Sequence, residues 1–333
     1  LGRSAGLSYL DRVKNRHHYA RHVRELKQEL KSALDVEELR ELHRVRPARH
    51  FVVAARLLGL MLLCGWALWQ ARWPWLWAPA ALLQGFNVLG TVVLLHEQVH
   101  EAIFRRDRPR LSRLLGLLYA MPSGISASQF RTWHLDHHQE LGSSRDDPKR
   151  AHLSPRRNTR LFKLLYWTPA LFVIYARGSR REAATYDEPE QRTIRRERLG
   201  NVLFHLALIA TIALSAGGWT LLRVYVVPLF FMFPVAFSLN RLGQHYDIDP
   251  ADPAGWSTLV DGNPLWHFLF LWSNFHLEHH YYPRVPFYNL CRLNRRLQPF
   301  FRRRGLRSRG YGEILWGWFV LNRRPHSDWR QPG

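Results

Sequence analysis

The chemistry legible in this chain lies in three short histidine-rich runs. His96-Glu97-Gln98-Val99-His100, His134-Leu135-Asp136-His137-His138 and His276-Leu277-Glu278-His279-His280 repeat imidazoles at i, i+3 and i+4, which on a helix brings them to one side. Eight imidazoles so spaced, among 18 histidines in 333 residues, point to bound metal. A structural zinc takes four ligands and a catalytic zinc three plus water, so this set exceeds the need of one ion. Ferritin-like dinuclear sites use two Glu-x-x-His pairs, and only Glu97 to His100 has that spacing among these runs. What remains is a dinuclear, nitrogen-rich site. Imidazole suits zinc, copper, iron and nickel alike, and iron fits best if the chemistry is oxidative. Glu97, Asp136, Asp147 and Glu278 are candidates to accept the second ring N–H of a ligating imidazole. Other histidines read differently. His205 and His267 lie in apolar stretches and are expected in the core, whereas His17, His18, His22, His43, His50, His152 and His326 are expected to be solvated.

The elements that must position these runs emerge from how charge is distributed. The net charge is +22, from 48 Lys/Arg against 26 Asp/Glu, yet the apolar residues are segregated from it. Four apolar stretches, 51–69, 75–95, 200–216 and 219–239, are each near the 20 residues that cross a bilayer. The turn Gln70-Ala71-Arg72-Trp73-Pro74 joins the first pair and Gly217-Gly218 the second. An even number of spans leaves both termini on one side. Apart from Arg56, Arg72 and Arg223, every Lys and Arg lies outside the two hairpins, so the termini and all three histidine runs are expected in the cytoplasm. The basic surplus then reads as topology plus contact with anionic headgroups, not as nucleic-acid binding. Two shorter apolar runs, 111–126 and 161–176, are interrupted by Pro122 and Pro169 and read as in-plane or re-entrant helices.

The expected architecture is thus an all-α integral membrane fold. Four transmembrane helices form two hairpins beneath a cytoplasmic helical cap that carries the histidine-rich dimetal site. Residues 1–50 form a basic amphipathic cytoplasmic segment with Leu26, Leu30, Leu34 and Leu39 at helical spacing, residues 51–300 the membrane domain, and residues 301–333 a basic cytoplasmic tail. Cys64 and Cys291 are too few for a disulfide scaffold or a four-cysteine zinc module, and 14 Trp within an aromatic content of 13% exclude a disordered chain. Trp133, Trp272 and Tyr281, close to the histidines in sequence, are candidates to line an apolar tunnel.

The order of the three runs, interleaved with two pairs of spans, resembles the membrane fatty acid desaturase and hydroxylase superfamily. Asp146-Asp147-Pro148 after the second run, and the stretch from His280 to Leu290 after the third, look like its bacterial acyl-lipid members. The resemblance covers roughly residues 50–300. It implies a nonheme diiron centre held by His96, His100, His134, His137, His138, His276, His279 and His280, with His245 as a further ligand. It also implies O2 as cosubstrate, two externally supplied electrons, and an unactivated C–H bond of a membrane lipid or acyl chain as the target. Fatty acyl desaturation is the expected reaction; lipid or carotenoid hydroxylation or ketolation is the alternative within the superfamily. The chain holds no haem-binding His-Pro-Gly-Gly and no iron–sulfur or flavin motif, so electrons are expected from a separate ferredoxin or cytochrome b5-type carrier with its reductase. Arg302, Arg303, Arg304, Arg307 and Arg309 are candidates to dock an acidic carrier.

One competing reading uses the same residues. His96-Glu97-Gln98-Val99-His100 is also the H-E-x-x-H of zinc metallopeptidases, and Asp261 would supply a third ligand. It leaves both remaining runs unexplained.

Overall fold

Proline or a polar cap marks where most of the helices begin. The computed structural model describes residues 18–71, 73–154 and 157–326; His17 lies outside them. After a one-turn helix at His18–His22, α1 (Arg24–Ala33) and α2 (Val36–Leu42) follow, the second started by Asp35, whose carboxylate accepts from the Glu37 and Glu38 N–H groups. The long helices α3 (Pro47–Gln70) and α4 (Pro74–Val99) each open on proline, which tolerates a first helical turn because its missing N–H has no partner there. Next come α5 (Pro109–Ala120), α6 (Ala127–Glu140), α7 (Ala170–Ala183) and α8 (Glu188–Leu221). A π-helical stretch at Leu222–Met232 leads into α9 (Phe233–His245), and α10 (His276–Tyr281) and α11 (Phe287–Arg303) complete the frame. Among the described residues β-pairing amounts to one isolated bridge, Val260 with Arg309.

Three of these helical bodies are long and apolar enough to cross a membrane: Pro47–Gln70, Pro74–Val99 and Glu188–His245. Sequence had expected four. The third body spans 58 residues, about 87 Å if straight, and it is not straight. Gly217 takes φ 79 and ψ 171, a conformation open to glycine and costly for any residue with a Cβ. Beyond it, the Tyr225 hydroxyl donates to His205 Nδ1 at 2.9 Å, across 20 residues that would stand about 30 Å apart in a continuous helix. The chain therefore folds back at the expected Gly217-Gly218 turn.

The surface of these helices is apolar where they meet no partner. Leu58, Leu62, Leu63, Leu203, Leu206 and Leu214 are all more than half exposed, an area too large for a water-facing monomer surface. Trp69 and Trp73 flank one hairpin tip and Trp219 the other, as interfacial tryptophans do. The two shorter apolar runs are broken where sequence placed the breaks: Pro122 lies in a 3₁₀ turn after α5, and Pro169 precedes α7.

Three differences from the sequence reading concern burial. Leu26, Leu30 and Leu34 face inward, packed with Leu290, Leu297 and Phe301 in one core, so α1 lies on α11 through its leucine stripe. Each leucine so buried contributes about 1.5–3 kcal/mol before the entropy of ordering is counted. His50 and His326, expected in solvent, are 0% and 1% exposed. His50 Nε2 meets the Tyr119 hydroxyl at 3.0 Å, and His326 stacks on Tyr166. His205 and His267, expected in the core, are only half-buried; His205 keeps its ring nitrogens bonded to the Met121 carbonyl and the Tyr225 hydroxyl at the edge of the apolar packing.

Candidate metal centre

Four helices deliver the histidines to one place. α4 carries His96 in its last turn and ends on His100 as its C-cap; α6 presents His134, His137 and His138; α9 stops at His245; α10 holds His276, His279 and His280. Glu101, with φ 57°, turns the chain out of α4 directly behind His100, and α9 is ended behind His245 by extended Tyr246 followed by left-handed Asp247 at φ 51°. Leu271 and Trp272, before α10, take left-handed φ values in succession, 47° and 60°. Non-glycine residues held this way cost free energy and cluster at functional sites.

The nine histidines resolve into two groups. His96, His100, His134, His138 and His279 form one; His137, His245, His276 and His280 form the other, and within each group the ligand nitrogens lie within 4.8 Å of one another. In the first, Nε2 atoms face each other at 2.8 Å (His100 and His134), 3.1 Å (His134 and His138), 3.0 Å (His138 and His279) and 3.1 Å (His96 and His279). In the second, His245 Nε2 stands 3.1, 3.0 and 3.3 Å from those of His137, His276 and His280. Around an ion with metal–nitrogen bonds of about 2.1 Å, neighbouring ligand atoms stand about 3.0–3.4 Å apart.

Tautomers make the second group's fit to a cation specific. His245 Nδ1 lies 2.9 Å from the Trp256 carbonyl oxygen, which can only accept, so the ring hydrogen is on Nδ1 and Nε2 carries a lone pair. His137 Nδ1 likewise donates to Asp147 Oδ1 at 2.8 Å. Two lone pairs facing each other at 3.1 Å repel unless a cation lies between them. Burial also holds the imidazoles of His134, His138, His276, His279 and His280 well below their usual pKa, with neighbouring imidazoles adding to the shift. For His137, burial lowers the value and Asp147 partly restores it. All six are neutral near pH 7, the form a metal requires.

The four proposed acids part company. Asp147 accepts from His137 and also from the Lys149 backbone N–H at 2.9 Å, so one carboxylate starts a turn and orients an imidazole. Glu97 reaches His96 Nδ1 at 3.4 Å and accepts from the Phe287 N–H at 3.0 Å, tying α4 to α11. Glu278 points away from the histidines to accept from Asn294, and burial pushes its carboxyl up to about 7. Asp136 is half-buried and its charge acts on Tyr186. Asp261 belongs to neither histidine group: it is exposed and accepts from Ser308, so it supplies no third ligand to a peptidase zinc.

Residues 71–312 match the family described as fatty acid desaturase. The chain belongs to that family. It is 25% identical over 286 residues to the sphingolipid delta(4)-desaturase/C4-monooxygenase DES2 of Bos taurus, covering 84% of this chain and 82% of the relative. The corresponding Homo sapiens protein is 24% identical over 290 residues, with the same coverage. The sphingolipid delta(4)-desaturase DES1 of Drosophila melanogaster is 25% identical over 253 residues, 75% of this chain and 74% of the relative. The protein is accordingly a membrane oxidoreductase of the fatty acid desaturase type.

Beside the centre of this desaturase lies a cavity of about 710 Å³, the size of a pocket for a sizeable ligand. His96, His134, His276 and His279 form part of its wall, and Leu89, Val92, Phe130, Ile209, Leu229 and Phe237 give it an apolar lining. Trp133 lines it as sequence suggested. Trp272 instead packs on Phe287, and Tyr281 donates to the Ala254 carbonyl in the core beneath α11. Sequence reasoning missed Lys149, which is buried at the cavity with Nζ donating to Gln244 Oε1 at 2.8 Å. Burial and the Arg241 charge hold its ammonium well below the usual lysine range. Asn240, whose amide donates to Ser273 Oγ at 2.7 Å, was missed too. No motif marks either residue; each is brought to the cavity by the packing of α9.

Proposed function

We propose that this protein oxidises an unactivated C–H bond in the hydrocarbon chain of a membrane lipid, using O2 and a pair of iron ions, with desaturation as the principal outcome. The observation that carries the reading is the junction of two convergent imidazole groups with one apolar cavity. Iron bound there would supply the capacity to activate O2 and remove hydrogen from carbon. The chain's own residues hold, orient and exclude. His96, His100, His134, His138 and His279 would hold one ion and His137, His245, His276 and His280 the other. Asp147 and the Trp256 carbonyl keep His137 and His245 in the tautomer whose Nε2 lone pair faces inward. Leu89, Val92 and Phe130 keep water from the reacting carbon and fix where along the chain it sits.

The relatives act, by name, on sphingolipids, and the apolar lining suits the hydrocarbon of an amide-linked or an ester-linked long chain alike. A hydroxylated product is the second reading. It is favoured by the double name desaturase/C4-monooxygenase of two relatives, since the two outcomes differ only after the first hydrogen has left.

In this reading four membrane crossings, two per hairpin, leave the centre and both ends of the chain in the cytoplasm. Electrons arrive from a separate ferredoxin or cytochrome b5-type carrier. Of the arginines proposed to receive it, Arg304, Arg307 and Arg309 pair with Glu29, Glu313 and Asp247. Arg302 and Arg303 are exposed at the end of α11 and are the better docking charges. Turnover with an acidic carrier should fall steeply as salt rises; salt-independent turnover would remove that role.

The test is mass spectrometry of lipids from cells expressing the protein under isotopically heavy O2, with His137→Ala as the inactive control. Loss of two hydrogens without label establishes desaturation, and label in the lipid establishes hydroxylation. No change dependent on His137 overturns the proposal.

A further inference from the structure

Where the first turn of α6 meets the C-terminal end of α7, the cavity wall is polar. Arg198 on α8 donates from Nη2 to Gln129 Oε1 at 2.6 Å and to Ser179 Oγ at 2.7 Å. Gln129, only 5% exposed, in turn donates to the Ser179 carbonyl at 2.7 Å, and Ser179 Oγ donates to Gln129 Oε1. Arg180, exposed on α7, lines the same end of the cavity. Every polar partner of Arg198 here is neutral. Among the described residues no carboxylate lies within ion-pair distance of Arg180 or Arg198, although elsewhere arginines of this protein pair with acids freely. The nearby acids are engaged elsewhere: Glu197 accepts from Ser126 Oγ, Ser128 N and Ser128 Oγ at 2.6–2.9 Å, and Glu182, which also lines the cavity, faces His152 at 3.2 Å and accepts from the Tyr186 hydroxyl.

The cavity also has a side entrance. Ala176 on α7 and Val202 and Leu206 on α8 line it and are exposed at the apolar surface of these helices. A lipid moving in the membrane plane can pass between α7 and α8 without leaving hydrocarbon, while its head stays at the polar rim. Two uncompensated guanidiniums at that rim call for negative charge, because a guanidinium forms its strongest hydrogen bonds with phosphate or carboxylate oxygens.

We infer that Arg180 and Arg198, braced by Gln129 and Ser179, seat an anionic headgroup, phosphate or carboxylate, of the lipid whose chain occupies the cavity. The substrate class is then an acidic long-chain lipid. This rests on the lipid-oxidation reading, but its test does not. The full chain, purified with its metal in neutral maltoside micelles and held without reductant so that no turnover occurs, is titrated with hexadecyl phosphate, hexadecanol, palmitate and inorganic phosphate. Hexadecyl phosphate or palmitate should bind at least about tenfold more tightly than hexadecanol, the gain expected from one charge-assisted contact. Inorganic phosphate should not displace them at comparable concentration, which separates a lipid head from a bare anion.

Arg180→Ala, an exposed change with little bearing on folding, and Arg198→Ala should each cut the preference, and together they should abolish it. Arg198→Lys should keep part of it. Arg192→Ala, on the same helix but beside Glu188, should leave binding unchanged. Equal binding of hexadecanol, a preference that survives the double substitution, or displacement by inorganic phosphate at matching concentration would each overturn the assignment. Because binding is read without turnover, a protein that binds acidic lipid but oxidises none would sink the catalytic reading and leave this one standing.

Discussion

In the four-member histidine group every imidazole is buried, and two ring hydrogens are held by Asp147 and by the Trp256 carbonyl at 2.8 and 2.9 Å. In the five-member group His96 and His138 are only half-buried, and the carboxylate nearest a ring hydrogen, Glu97, stands 3.4 Å away. The cavity wall repeats the contrast: it takes His96, His134 and His279 from the larger group and only His276 from the smaller. One set is therefore oriented from behind and largely sealed, while the other carries an extra donor and faces the cavity. Closed, well-braced sites retain a metal and open ones expose it to chemistry. The comparison teaches that the two positions are not interchangeable, although the same side chain builds both.

That contrast is breakable by substitution, starting with the ligands. His245→Ala leaves three donors in the smaller group. Metal analysis of the purified protein should show about half the bound metal lost, and turnover should fall by more than about 100-fold. His138→Ala, which leaves four donors in the larger group, should retain more metal; equal losses in the two variants would erase the distinction. A step down in size is Asp147→Asn, which disturbs the His137 tautomer. It should weaken metal retention against a competing chelator by about 10–100-fold, against less than about 10-fold for Glu97→Gln.

The sealed group can also be disturbed through the backbone. Gly142 has φ +90, and a Cβ there would lie 2.5 Å from the Trp256 ring, the residue whose carbonyl fixes His245. Gly142→Ala should cost about 1–3 kcal/mol of stability in thermal unfolding, and metal should leave the four-member group first. The smallest effect belongs to Glu278→Gln. The buried carboxyl, already raised to about 7, accepts from Asn294 and not from an imidazole, so turnover should stay within about threefold of the parent. A large loss would place Glu278 beside Asp147 as an orienting acid.

Much of this site was legible because ligand spacing along a helix is a local property. The eight histidines of the three runs declare themselves by i, i+3 and i+4 positions. His245 has no such partner and was found only through family resemblance. Lys149 and Asn240 gave no signal, because their nearness to the cavity depends on α9 packing against the turn after α6, with Lys149 and Gln244 separated by 95 residues. The burial of His50 and His326 was hidden for the same reason: a histidine in a polar stretch reads as solvated until a distant element covers it. Both hairpins were legible from apolar length and from the Gly217-Gly218 turn. The inward leucine face of α1 was visible as a stripe, but what would cover it was not.

Sequence by itself determined that the chain is helical and membrane-bound, and that its histidines come in sets able to share metal. Which histidine serves which group was decided only by tertiary structure. Each run puts its i, i+4 pair into one group, His96 with His100, His134 with His138, and His276 with His280, while the i+3 members His137 and His279 cross to the other. Successive residues on a helix diverge by about 100°, so neighbours such as His137 and His138 must point to different places. Spacing fixes that divergence; only the docking of four helices decides what stands at the end of each direction.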